Sequence, residues 1–109
     1  MSDWGSEVEK ERKRRISISL YAYAYEYEND SLVDDATFDE LSRQINPNMK
    51  TGHDVLDKFF AEEFEPDTGM WIRKHPDLHG VKFLYEAYRT GQWLKYTLKK
   101  ISKPLDNSR

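Results

Sequence analysis

Apolar residues recur at helical spacing along most of this chain, but one stretch alternates instead. Ile16-Ser17-Ile18-Ser19-Leu20-Tyr21-Ala22-Tyr23-Ala24-Tyr25 has period two, which taken alone argues for a half-buried strand. The same residues also fit a helix that places Ile16, Leu20, Tyr23, Ala24 and Tyr27 on one stripe. A strand needs partners, and no other stretch supplies a convincing one, so helix is the preferred reading. Its first turns fall in the charge run Glu9-Lys10-Glu11-Arg12-Lys13-Arg14-Arg15, which is built of good helix formers. Asn29-Asp30-Ser31 ends it, because these side chains bond their own backbone. Asp34 or Asp35 then caps a second helix, with Phe38, Leu41 and Ile45 as its buried stripe and Asn46-Pro47-Asn48 as its stop.

Downstream the pattern is more regular. Thr51-Gly52-His53-Asp54 resembles a capping box, with Asp54 in place of the usual Glu. Val55, Leu56, Phe59 and Phe60 make the inner face of a third helix. Phe64-Glu65-Pro66-Asp67-Thr68-Gly69 is a turn, and Met70-Trp71-Ile72 an apolar plug that pins it to the core. His75-Pro76-Asp77 opens a fourth helix with Val81, Leu84, Tyr85 and Tyr88 inward and Gly91 at its end. A last helix is predicted from Gln92 to Ile101, with Leu94, Leu98 and Ile101 inward and Lys95, Lys99 and Lys100 outside. The expectation is one all-α domain of four or five short helices over 9–101, between tails at 1–8 and 102–109.

Composition narrows the class. At 109 residues with 34% charged but 14% aromatic side chains, a modest compact core is favoured over disorder. There is no cysteine, which suits a reducing cytoplasm. No apolar run nears the roughly 20 residues needed to span a bilayer, so no membrane partner is expected. Met1-Ser2-Asp3-Trp4-Gly5-Ser6-Glu7 lacks the basic start and apolar core of a secretory signal. A net charge of −3 argues for no partner by itself.

The predicted hairpin carries a further pattern: Tyr25 on the first helix, a short turn, then Asp35-Ala36-Thr37-Phe38-Asp39. This resembles the small N-terminal Ia domain of NAD-dependent DNA ligases, in which a tyrosine is followed by Asp-x-x-Tyr-Asp. The likeness covers roughly residues 14–46 and also favours helix over strand. The family's histidine after the tyrosine is Glu26 here, and its tyrosine between the two acids is Phe38. It implies a ligase-like hairpin that closes over nicotinamide mononucleotide (NMN) or the same half of NAD. Tyr25 would stack on the ring, while Asp35 and Asp39 accept bonds from ribose hydroxyls or the carboxamide. Catalysis is not expected, because the family's Lys-x-Asp-Gly nucleophile motif is absent; Lys74-His75-Pro76-Asp77 has the wrong spacing and ending.

The chain is also similar to small phage and prophage proteins described only as ligase-related. With Glu26 and Phe38 altered, that likeness implies a non-catalytic accessory protein in the cytoplasm of a bacterial host. It would bind a protein partner, for host takeover or counter-defence, through a hairpin whose nucleotide site has decayed and without a cofactor. The alternative is a working NMN- or NAD-binding module.

Three other groups compete with these. Tyr21, Tyr23, Tyr25 and Tyr27 spread around a helix, so some reach the surface, and Tyr21 and Tyr23 are the candidate partner-binding anchors. Lys10, Arg12, Lys13, Arg14 and Arg15 could meet nucleic-acid phosphates, although Glu9 and Glu11 interrupt the run and a solvated helix end explains it as well. His75 and His79 share a helical spacing, but with no thiol and no strong third ligand they read as surface or capping residues, and no metal site is expected.

Overall fold

Ser6 starts the first helix: its backbone is extended and its hydroxyl accepts the Glu9 N–H at 3.1 Å. One of the free donors of the opening turn is thereby satisfied. In this computed structural model the described residues are 6–91, and the predicted last helix and C-terminal tail lie outside them. Helix α1 spans Glu7–Glu28, drawing Glu7 and Val8 out of the predicted tail. It stops at Asn29, which takes the left-handed conformation (φ 53°, ψ 42°) while its N–H bonds the Ala24 carbonyl; asparagine tolerates that conformation better than most residues.

The next three helices follow with caps of their own. Asp34, not Asp35, caps α2 (Asp35–Gln44), accepting the Thr37 N–H at 2.8 Å. Helix α3 (Asp54–Glu63) opens on His53, whose Nδ1 accepts the Leu56 N–H at 3.3 Å. The expected Thr51 capping box does not form, because Thr51 is buried and occupied elsewhere. Its hydroxyl donates to Asp57 at 2.6 Å and its N–H to the same carboxylate at 2.9 Å. A 3₁₀ turn at Met70–Lys74 buries Trp71 and Ile72 but leaves Met70 exposed. Helix α4 (Leu78–Thr90) is capped by Asp77 and ends at Gly91 with φ 66°.

All the regular structure among the described residues is helical, and α1 is its axis: α2, the 3₁₀ turn and α4 all pack against it. Ile18, Leu20, Ala22, Tyr23 and Ala24 are buried along α1, and small residues let its neighbours approach closely. Phe59 and Phe60 bring α3 to Trp71 at centroid distances of 6.0 and 5.6 Å. Burying a side chain of that kind stabilises by about 2–3 kcal/mol each. Four expected inward positions face out instead. Ile16, Tyr27 and Tyr88 are 56%, 45% and 50% exposed, since the helices crossing α1 and α4 cover other arcs. Val55, expected on the inner face of α3, is exposed as well. Among the described residues no helix is long and apolar enough to cross a membrane.

A buried ionic knot locks the start of α1 to the loops beyond α2. Arg15 reaches Glu11 and Asp57, each at 2.9 Å, and donates to the carbonyls of Asn46 at 2.8 Å and Met49 at 3.1 Å. Glu11 in turn accepts the Asn46 N–H at 2.9 Å. Glu11, Arg15 and Asp57 are all buried, which is tolerable only because every charge is paired and bonded.

Candidate ligand cleft

Helix geometry sets Tyr21, Ala22, Tyr25 and Glu26 on one side of α1, and Asp35, Phe38 and Asp39 on one side of α2. The short turn between the helices makes these two sides face each other. Between them lies a cleft of about 350 Å³, closed by Leu32 and Val33 of the turn and by the loop Asp67-Thr68-Gly69. That volume falls at the lower end of small-molecule sites. Gly69 has a steric reason to lack a side chain. A Cβ there would lie 3.3 Å from the Ala22 Cβ and 3.7 Å from the Phe38 ring, narrowing the cleft where the loop crosses α1.

The walls combine aromatic faces with carboxylates. Tyr25 is 61% exposed, so its ring is open to a ligand, while Phe38 is partly buried against the core. Four acidic side chains line the space: Glu26, Asp35, Asp39 and Asp67. Glu26 is not a free charge. Arg73, from the 3₁₀ turn, donates to its carboxylate through Nη2 at 3.0 Å and Nε at 3.3 Å. The same guanidinium lies 5.8 Å from the Tyr27 ring centroid. Asp35, Asp39 and Asp67 form no ion pair with a described residue. Beside the cleft, bonds from Thr37 hold the Asp34 carboxyl below its ordinary range. Such a site suits a flat ring, hydroxyl donors and positive charge.

The five positions that the ligase-like pattern marks (Tyr25, Glu26, Asp35, Phe38 and Asp39) therefore converge on this one cleft. Asp67, Gly69 and Arg73 had no sequence signal. They arrive from a loop and turn far along the chain, and only the packing of the 3₁₀ turn on α1 brings them in.

Other sequence candidates fare differently. Tyr23, expected as a partner anchor, is only 5% exposed. It stacks on Tyr27 at 5.1 Å, and its hydroxyl donates to Glu28 at 3.0 Å. Burial, and then the Glu28 carboxylate, push the Tyr23 phenol up to about 12. Packing between α1 and α4 removes it from any docking face. Tyr21 is half-buried and lines the cleft.

Within the basic run, Arg15 is corrected in the same way. Arg15 is in the core, tied into the ionic knot, and cannot reach a phosphate. Lys10, Arg12 and Arg14 pair with Glu7, Glu9 and Glu11 at 3.6, 3.2 and 3.0 Å, Arg12 also donates to the Thr51 carbonyl, and Lys13 has a partner too.

His75 is half-buried against Phe59, its Nδ1 accepts the Asp77 N–H at 2.9 Å, and burial lowers its pKa. His79 is exposed, and among the described residues no group of three or more His, Cys, Asp or Glu is arranged to hold a metal ion. No protein-family model, curated protein or solved structure matches the chain.

Proposed function

We propose that this chain is a non-catalytic binding module whose hairpin cleft takes a nicotinamide nucleotide, as NMN or as the same half of NAD. One observation carries this reading: Tyr25, Glu26, Asp35, Phe38 and Asp39, drawn from two helices, line a single cleft of about 350 Å³. The two departures from the ligase-like pattern weigh less in three dimensions than in sequence. Arg73 offsets the charge of Glu26, and Phe38 keeps an aromatic face although it has no hydroxyl. Action through a protein partner loses the support of its proposed anchors, since Tyr23 is buried and Tyr21 half-buried.

Calorimetry of the purified chain against NMN and NAD, repeated with Asp35→Ala, tests this. Micromolar binding that disappears in the variant is the expected result. Asp35 is exposed and unpaired, so the substitution leaves the fold intact. No heat at millimolar concentration from NMN, from NAD or from the phosphate-free nicotinamide riboside would overturn the reading.

A further inference from the structure

Resting on that reading, we infer that the cleft selects the positively charged, phosphate-free form of its ligand: a pyridinium nucleoside in preference to its 5′-phosphate. Asp35, Asp39 and Asp67 come from two separate segments and face one space, and no described side chain lining it is basic. Arg73, bonded to the lining residue Glu26, also lies over the Tyr27 ring, so its charge is already matched.

A helix N-terminus often attracts phosphate, and the start of α2 borders this cleft. Here that end is already compensated. Asp34 accepts the Thr37 N–H, and Asp35 stands in the first turn. A nucleoside phosphate would bring close to two further negative charges into this field. A nucleoside with a pyridinium ring instead brings one positive charge and a flat face for Tyr25, with ribose hydroxyls to donate to the carboxylates.

The test is calorimetry of the full chain with nicotinamide riboside and NMN side by side at low salt, for the wild type and for Asp67→Asn. Asp67 is exposed and lies in a loop, so its neutral isostere should leave the melting temperature unchanged. Riboside should bind at least about tenfold more tightly than NMN, the scale expected for like charges meeting near a protein surface. Asp67→Asn should narrow that ratio severalfold, and added salt should weaken riboside binding. Equal or tighter binding of NMN would overturn the selectivity and leave the nucleotide cleft standing. Failure of both ligands to bind would overturn the cleft reading itself, and the selectivity with it.

Discussion

Replacing Arg15 with methionine is the severest single test of how this fold is held. The guanidinium makes four bonds, to Glu11, Asp57 and the carbonyls of Asn46 and Met49. Methionine keeps most of the side-chain volume but leaves two buried carboxylates short of their cation. Breaking a buried pair from one side costs about 3–5 kcal/mol. The lower end applies here, because Arg14 still holds Glu11 at 3.0 Å and Thr51 still donates twice to Asp57. A loss of about 3 kcal/mol is a large share of the 5–15 kcal/mol typical of a domain. In urea, followed by far-ultraviolet circular dichroism, it should lower the midpoint by about 1–3 M. Arg15→Lys keeps the charge but not the four-way geometry, and should fall in between. A loss under about 1 kcal/mol for Arg15→Met would show that the knot is incidental.

The same knot sets the acid limb of stability. Burial pushes the Asp57 carboxyl up, but the Thr51 donors and Arg15 outweigh it and hold it down at about 2. A folded-state value below the unfolded one stabilises above about pH 4, and that contribution drains away as pH falls through 2. The difference corresponds to about 2 kcal/mol, so Asp57→Asn should flatten stability between those limits in acid titrations. At the other extreme, burial and the Glu28 carboxylate raise the Tyr23 phenol from the ordinary 10.0 to about 12. Its contribution is complete below pH 10 and lost as pH rises through 12, and Tyr23→Phe should reduce the late-titrating phenolate absorbance, leaving the share of Tyr85, which burial and the Asp30 bond also raise. Gly69→Ala adds a methyl 3.3 Å from the Ala22 Cβ. It should weaken ligand binding severalfold while changing stability by about 1 kcal/mol or less; a larger stability loss with unchanged binding would move Gly69 from the cleft to the core.

Where one side of a helix faces the core, the sequence pattern was readable. Helix α4 shows this, with Val81 and Tyr85 inward, Asp77 at its start and Gly91 at its end. Helix α1 was harder for a physical reason. Its buried residues Ile18, Ser19, Leu20, Ala22, Tyr23 and Ala24 sweep roughly 240° of arc at 100° per residue. A helix covered on most of its circumference has no single apolar stripe, so alternation of large and small residues survives and imitates a strand. Arg15 misled for a related reason. In sequence it is one more cation in a basic run, and only the fold reveals the partners waiting at Asn46, Met49 and Asp57. Helical spacing put Asp35 and Asp39 on one face, and the ligase-like resemblance set Tyr25 opposite them, whereas the loop wall of the cleft and the charge balance of Glu26 had no signal.

Glu26 can distinguish a decayed site from a built one. On sequence alone it adds repulsion, and its removal should then improve binding of any nucleotide carrying phosphate. In the structure its side chain is only 12% exposed and tethers Arg73 of the 3₁₀ turn, the element that follows directly on the loop closing the cleft. Glu26→Gln should therefore loosen that wall and weaken binding of the preferred ligand severalfold. A half-exposed pair of this kind is worth only about 0–1 kcal/mol, so the melting temperature should barely move. Double substitution with Arg73→Gln provides the check. If the pair acts as a unit, the second change adds little to the first. Tighter binding in Glu26→Gln would mean that the carboxylate opposes the ligand after all, and the site would then read as a remnant.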